Sequence, residues 1–174
     1  MSVNASDKPH RIFLGIGGNL APDGYDGPRE GAMAALAALE TVAIRITAMS
    51  RWFETAPVPI SEQPWFMNAV VMASTDLGPA DMLRVLHETE AAFGRQRRVR
   101  NEARVLDIDL LDYDGLVSDD DALMLPHPRM HQRAFVLHPL RDVAPDWTHP
   151  VSGLSVDELI KALPADQKIR PAGD

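Results

Sequence analysis

The sequence predicts an α+β fold of the ferredoxin-like kind: a βαββαβ sandwich with an antiparallel sheet, helices on one face and helical additions at the C-terminus. Three observations carry this. Four short segments have a strand's apolar character or period of two, at residues 11–17, 42–48, 66–75 and 106–113. Two longer segments, opening at Pro28 and Pro79, carry apolar residues at helical spacing. Their order is strand–helix–strand–strand–helix–strand, which one sheet with two right-handed crossovers satisfies. A chain of 174 residues suits one domain, taken as residues 11–163, with 1–10 a flexible leader and 164–174 a disordered tail.

Arg11 to Gly17 is apolar enough for a buried first strand, and Gly17-Gly18-Asn19 ends it in a turn. Gly15-x-Gly17 does not continue as a dinucleotide-binding fingerprint, because Leu20 stands where the third glycine belongs and Pro22 and Gly24 follow. Asp26-Gly27-Pro28 opens a helix with proline in its first turn, and Ala32, Met33, Leu36 and Leu39 supply its stripe. Val42, Ile44, Ile46 and Ala48 then alternate as a second strand running on towards Phe53 with a bulge. Three prolines make Thr55 to Pro64 a loop. Phe66 to Thr75 is a third strand, with Met67, Ala69, Val71 and Ala73 on one face and Phe66 and Asn68 on the other. Gly78-Pro79 opens the second helix, with Leu83, Leu86 and Phe93 on its stripe and Gly94 as its stop.

The fourth strand, Leu106 to Tyr113, follows an arginine-rich loop. Asp114-Gly115 is a turn, and Asp119-Asp120-Asp121 a solvated acidic loop without the ligand spacing of a calcium site. Pro126-His127-Pro128 excludes helix, a short helix lies between Met130 and Arg141, and Ser155-Val156-Asp157-Glu158 is a capping box for the last one.

Composition narrows the function. A hydrophobic content of 45% with 24% charged residues is that of a soluble domain. The absence of cysteine excludes disulfides, thiolate metal sites and a cysteine nucleophile. No apolar run is long enough for a membrane span or signal core, so the expectation is a cytoplasmic protein with no membrane partner. A net charge of −8 argues against nucleic acid. Yet Arg95, Arg97, Arg98, Arg100 and Arg104 hold five of the 17 basic residues, a cluster suited to a small polyanion.

That cluster leads into Asp107-Ile108-Asp109. On a strand, Leu106, Ile108 and Leu110 point one way and the two aspartates the other, with Asp112 on the parity of the leucines. Two readings fit the pair alone: acids facing solvent at a strand end, or a seat for a hard cation such as Mg²⁺ beside phosphates. No phosphate-binding Gly-x-x-x-x-Gly-Lys-Ser/Thr loop or protein-kinase motif set exists to supply phosphate chemistry otherwise. Phe66 and Asn68 suggest a second site, an aromatic face to stack a flat ring and an amide to read its edge, which Phe135 beside Arg133 could close. Each phenylalanine taken singly also fits a core position.

Together these residues resemble a known family. Arg104-x-x-Asp107-Ile108-Asp109-Leu110-Leu111 is similar to the signature of the 6-hydroxymethyl-7,8-dihydropterin pyrophosphokinases of folate synthesis. Gly15-x-Gly17-Gly18-Asn19-Leu20, Thr55-Ala56-Pro57 with Gln63-Pro64-x-Phe66-x-Asn68, Glu90-x-x-x-Gly94-Arg95-x-Arg97, and Pro126-His127-Pro128-Arg129-Met130 through Arg133-Ala134-Phe135 resemble its other motifs in order. The resemblance covers about Arg11 to Leu163. It implies transfer of pyrophosphate from ATP to the hydroxymethyl group of a dihydropterin, releasing AMP, by a monomer that takes ATP as co-substrate and two Mg²⁺ ions. Carried over, Asp107 and Asp109 hold the metal, and Arg95 and Arg104 sit nearest the transferring phosphates. His87, Glu90, Arg97, Leu110, His127 and Arg133 line the nucleotide. Phe66, Asn68, Phe135 and the segment Thr55, Ala56, Pro57 and Val58 hold the pterin. The hydroxyl proton goes to Asp109 or to a metal-bound water.

The chain departs from the family in places. The loop from Gly94 to Arg104 is about one residue shorter than in well-known members and lacks their tryptophan. His87 stands where a glutamine often lies, Pro128 replaces an aromatic, and the first turn is expanded up to about Gly27. The rival readings are another Mg²⁺-dependent phosphotransferase built on the same acids, or a non-catalytic pterin- or nucleotide-binding module.

Overall fold

The computed structural model describes residues 8–57, 59–94 and 103–173. Strand β1 (His10–Gly18) lies inside a six-stranded sheet, antiparallel to β4 (Phe66–Thr75) on one side and to β5 (Asp107–Tyr113) on the other. Beyond β4 come β2 (Arg45–Met49) and β3 (Phe53–Thr55), both paired antiparallel with it. The segment expected as one strand running on towards Phe53 with a bulge is two strands, and the bulge lies within the first, as a register shift between Ile46 and Ala48. Val42 belongs to the preceding helix.

Helices α1 (Pro28–Val42) and α2 (Pro79–Ala92) cover one face of the sheet. Each begins on a proline after an extended glycine, where a missing N–H costs nothing. Gly94, at φ 91°, follows the end of α2 in the left-handed region that glycine tolerates best. Ile12, Leu14 and Ile16 of β1, Ala69, Val71 and Ala73 of β4, and Ile108 and Leu110 of β5 meet Ala32, Ala35, Leu36 and Leu39 of α1 and Met82 and Leu86 of α2. Truncating any one of these buried leucines to alanine costs about 2–5 kcal/mol.

The other face is covered over only part of its length. Phe13, Val70 and Leu111 pack against Val136, Leu137 and Leu140 of α3 (Ala134–Val143), Val156 and Leu159 of α4 (Val156–Lys161), and Trp147. The expected capping box opens α4: Ser155 Oγ accepts from the Glu158 N–H, and the Glu158 carboxylate accepts from the Ser155 N–H. A 3₁₀ turn, Met130–Gln132, precedes α3, so the helix expected from Met130 breaks at the extended Arg133. The acidic stretch around Asp119 forms an exposed hairpin of β6 (Ser118–Asp120) and β7 (Leu123–Leu125).

The C-terminal segment corrects the expectation of a disordered tail. Strand β8 (Ile169–Pro171) adds to the outer side of β3, with Phe53 opposite Pro171 and Thr55 opposite Ile169. Arg170 Nε donates to Glu54 Oε2 at 2.7 Å, and its guanidinium lies 4.5 Å from the Trp65 ring centroid. Backbone pairing, one ion pair and a cation–π contact order this segment, and none of them leaves an apolar period in the sequence. At the other end, β1 starts at His10, whose ring pairs with Asp114, rather than at Arg11. No described helix is long and apolar enough to cross a membrane.

The end of β1 is packed too closely for a side chain. A Cβ at Gly17 would run into Asn68 Oδ1 and lie 2.7 Å from the Met67 carbonyl oxygen. Because one of these obstacles is backbone, no rotamer change relieves the clash. Gly17→Ala is expected to lower the unfolding free energy by about 1–3 kcal/mol in denaturant titration; an unchanged midpoint would contradict this packing.

Candidate active site

The uncovered part of the second face is a cavity of about 480 Å³. Its floor follows from strand parity. Facing the same way as Phe13 on β1 are Gly15 and Gly17, and with Val70 on β4 is Asn68. On β5, Asp109 lies opposite Gly15 and Asp107 opposite Gly17, while Gly17 also lies opposite Asn68. One row across the sheet thus reads Asp107, Gly17, Asn68, with the glycine contributing no side chain between carboxylate and amide. Two strand spacings separate their backbones by about 9–10 Å.

The aspartates share the face expected of them, and Ile108 and Leu110 point into the core. Asp112 does not keep the parity of the leucines. Phe13 pairs with Asp112 and Leu14 with Leu110, so Leu111 is an extra, bulged residue that resets the alternation. Asp112 is thereby turned to the second face, where its carboxylate accepts from Trp147 Nε1 at 2.8 Å and from the Gly115 N–H at 2.9 Å. It is a buried structural acid outside the pair.

Like-charge repulsion between Asp107 and Asp109 is offset by guanidinium groups. Arg104 NH1 donates to Asp107 Oδ2 at 2.9 Å. Burial lowers the pKa of Arg133 from its ordinary value, while Asp109 and Asp107 pull it back up. Arg129, not singled out from the sequence, also lines the cavity. Asn19 holds this corner together: its Oδ1 accepts from the Arg104 N–H at 2.8 Å, and its Nδ2 donates to Gln63 Oε1 and to the Pro64 carbonyl. A buried amide joining two loops accounts for an asparagine at the turn after β1.

The ring-binding candidates also converge. Phe66, Asn68, Thr55, Ala56, Pro57 and Phe135 all line the cavity. Phe66 and Phe135 are half-buried rather than core residues. Asn68 Nδ2 donates to Thr55 Oγ1 at 2.7 Å, which fixes the amide's orientation and leaves its oxygen side beside Gly17. The Arg133 guanidinium stands 5.3 Å from the Phe135 ring centroid. From the C-terminal segment come Asp166 and Gln167, to which no motif or period in the chain points.

Other expected residues lie apart from the cavity. The Leu110 side chain is in the core, Glu90 is buried on α2 and accepts from the Ile108 N–H at 3.3 Å, and His87 is exposed on the same helix. Glu90 thereby supports β5 between the two aspartates. Val58, Arg95 and Arg97 lie outside the described residues. Among the described residues no group of three or more His, Asp or Glu side chains is placed to hold a metal. Two carboxylates suit Mg²⁺ nonetheless, because that ion keeps waters and takes phosphate oxygens for its remaining positions.

His127 follows the cis peptide bond Leu125–Pro126, and its backbone N–H donates to the Leu111 carbonyl, next to the acid strand. Its Nδ1 accepts from the Arg129 N–H at 3.2 Å, which places the proton of the neutral ring on Nε2. Burial, then Arg133, hold its pKa down to about 4, against the opposing pull of Asp107. The folded chain therefore keeps this ring neutral while the unfolded chain protonates it below about pH 6.5. Stability is lost as pH falls from about 6.5 to 4, by up to about 3 kcal/mol from this group. His127→Asn, which keeps an acceptor for Arg129, is expected to remove that share of the pH dependence in denaturant titrations of the metal-free chain. An unchanged pH profile would mean that the ring titrates normally.

Residues 13–145 match the model of the family described as 7,8-dihydro-6-hydroxymethylpterin-pyrophosphokinase. The chain is 40% identical over 153 residues to the 2-amino-4-hydroxy-6-hydroxymethyldihydropteridine pyrophosphokinase of Methylorubrum extorquens, covering 88% of this chain and 93% of that protein. It is 39% identical over 155 residues to the enzyme of the same name from Pseudomonas aeruginosa, covering 88% and 92%. In fold it is similar to a crystal structure of Plasmodium falciparum HPPK-DHPS, with a TM-score of 0.71 at 15% identity, covering 91% of this chain. It spans 45% of that longer protein. The chain belongs to the 7,8-dihydro-6-hydroxymethylpterin-pyrophosphokinase family.

Proposed function

We propose that the chain transfers pyrophosphate from ATP to the hydroxymethyl group of 6-hydroxymethyl-7,8-dihydropterin, releasing AMP, and that the cavity on the second sheet face is where it does so. The observation that carries this reading is the row Asp107, Gly17, Asn68, which sets one acid of the pair and an oriented amide on strands whose backbones lie about 9–10 Å apart. That distance suits a substrate whose flat ring is read at one end while its hydroxymethyl arm meets phosphates at the other.

In this reading the pterin ring lies between Phe66 and Phe135, with Asn68 and the segment from Thr55 to Val58 along its edge. Asp107 and Asp109 hold Mg²⁺, two ions in the full reading, which when bound draws the phosphates together and neutralises their charge. Arg104, Arg129 and Arg133 add cationic charge around the same phosphates, with Arg95 and Arg97 assigned there by resemblance. The substrate hydroxyl oxygen forms a bond to the β-phosphorus. The bond from that phosphorus to the oxygen bridging the α-phosphate breaks, that oxygen leaves with AMP, and the hydroxyl proton passes to Asp109 or to solvent. Positioning and charge compensation suffice for this chemistry, and no covalent intermediate with the protein is needed. The sheet order β5-β1-β4 with β2 and β3 beyond, and α1 and α2 together on one face, supports a ferredoxin-like reading of the βαββαβ run. A cytoplasmic monomer goes with small diffusible substrates.

The test combines protein, ATP, Mg²⁺ and hydroxymethyldihydropterin and follows the nucleotide product. AMP formed one-for-one with pterin consumed is expected; ADP, or nucleotide turnover indifferent to pterin, would overturn the proposal. Asn68→Ala separates this reading from a phosphotransferase acting on another acceptor. Losing a charge-neutral edge contact and its oriented partner is expected to raise the pterin KM about tenfold or more while the ATP KM moves less than about threefold.

A further inference from the structure

Two walls of the ring cavity come from distant parts of the chain, and one side chain of the C-terminal segment joins them. The first wall is Thr55 to Pro57, at the end of strand β3 and just beyond it; the second is Phe135 at the start of α3. Helix α3 has no side-chain cap of its own at Arg133. Gln167 supplies the missing acceptor from 33 residues away, its Oε1 taking the Ala134 N–H at 2.8 Å. Its Nε2 donates to the Gln132 carbonyl at 2.8 Å, so one amide spans the backbone on both sides of Arg133. The neighbouring Lys168 carbonyl accepts from the Ala56 N–H at 3.1 Å, and β8 then pairs along β3. Gln167 itself lines the cavity.

We infer that Gln167 is a positioning residue for the pterin site: it holds the Phe135 face relative to the Thr55–Pro57 segment along the ring's edge and, because Thr55 pairs with Phe66 across β3 and β4, relative to the opposite Phe66 face, and so sets the width of the slot for a flat ring. This rests on the function proposed above. A ring held between two faces is sensitive to their spacing, because dispersion contacts fall away within an ångström of widening. The phosphate side is buffered, since the arginines that serve it reach in on long side chains that can absorb a small backbone shift. The consequence is selective for one substrate, which a merely structural brace would not produce.

The test uses the full chain, with binding of hydroxymethyldihydropterin and of a non-hydrolysable ATP analogue with Mg²⁺ each measured by calorimetry. Gln167→Met keeps length and bulk and removes both hydrogen bonds; the pterin Kd is expected to rise about tenfold and the nucleotide Kd less than about threefold. Gln167→Glu keeps the acceptor for Ala134 at a helix N-terminus that favours an anion and loses only the donor, so a rise of about threefold in the pterin Kd is expected. Should the methionine variant fail to fold, the glutamate variant carries the same comparison. An unchanged pterin Kd, or equal weakening of both ligands, would overturn this inference while leaving the proposed function standing. A wild-type chain that binds nucleotide but no pterin would remove both.

Discussion

Everything at the site depends on β1 being held in register against β4 and β5 at once, with glycine where its side chains would fill the cavity. On the second sheet face the same three strands carry Phe13, Val70 and Leu111 at one end and Gly15, Gly17, Asn68, Asp109 and Asp107 at the other. The large apolar residues bind α3 and α4 to the sheet; the small and polar ones leave the rest uncovered. A slip of one residue in β1 would exchange these faces and place Ile16 among the carboxylates. The buried face of Ile12, Leu14 and Ile16 makes that slip prohibitive, so the core packing sets the site geometry.

The same arrangement explains how two acids stand side by side on a well-packed sheet. Arg104 bonds Asp107 directly, and Arg133 feels both aspartates from the segment before α3. These guanidinium groups set positive charge against the acid pair from within the protein itself. The ion pair is partly buried, and one such pair adds only modestly to stability. Its value is positional: together with Asn19, it ties the entry of β5 to the exit of β1 and to the Gln63–Pro64 loop.

Much of this was legible in the sequence because it follows from period two. The face shared by Asp107 and Asp109, the face shared by Phe66 and Asn68, the glycine–proline starts of both helices and the Gly94 stop of the second all come from local rules. What was not legible depends on non-local contacts. The bulge at Leu111 turns Asp112 towards Trp147, and nothing near Asp112 in the sequence signals an indole 35 residues later. Arg129 could have been suspected from the rigid Pro126-His127-Pro128 run that presents it. Gln167 could not, since β8 is ordered by backbone pairing and by Arg170 against Glu54 and Trp65. Leu110 and Glu90 show the converse: motif resemblance alone assigned them to the nucleotide, whereas their side chains pack in the core or brace β5.

On the proposed function, Asp107 as metal seat and Asn68 as the amide that reads the ring share one row of the sheet, a single glycine apart. Paramagnetic relaxation tests it directly, with Mn²⁺ in place of Mg²⁺, a non-hydrolysable ATP analogue and ¹⁵N-labelled protein. With Asp107 and Asn68 on strands whose backbones lie about 9–10 Å apart, the Asn68 side-chain amide signals should broaden strongly, and the broadening should vanish in the Asp107→Asn, Asp109→Asn double variant. Sharp Asn68 signals in the presence of bound Mn²⁺, with broadening centred elsewhere on the protein, would contradict this placement of the metal.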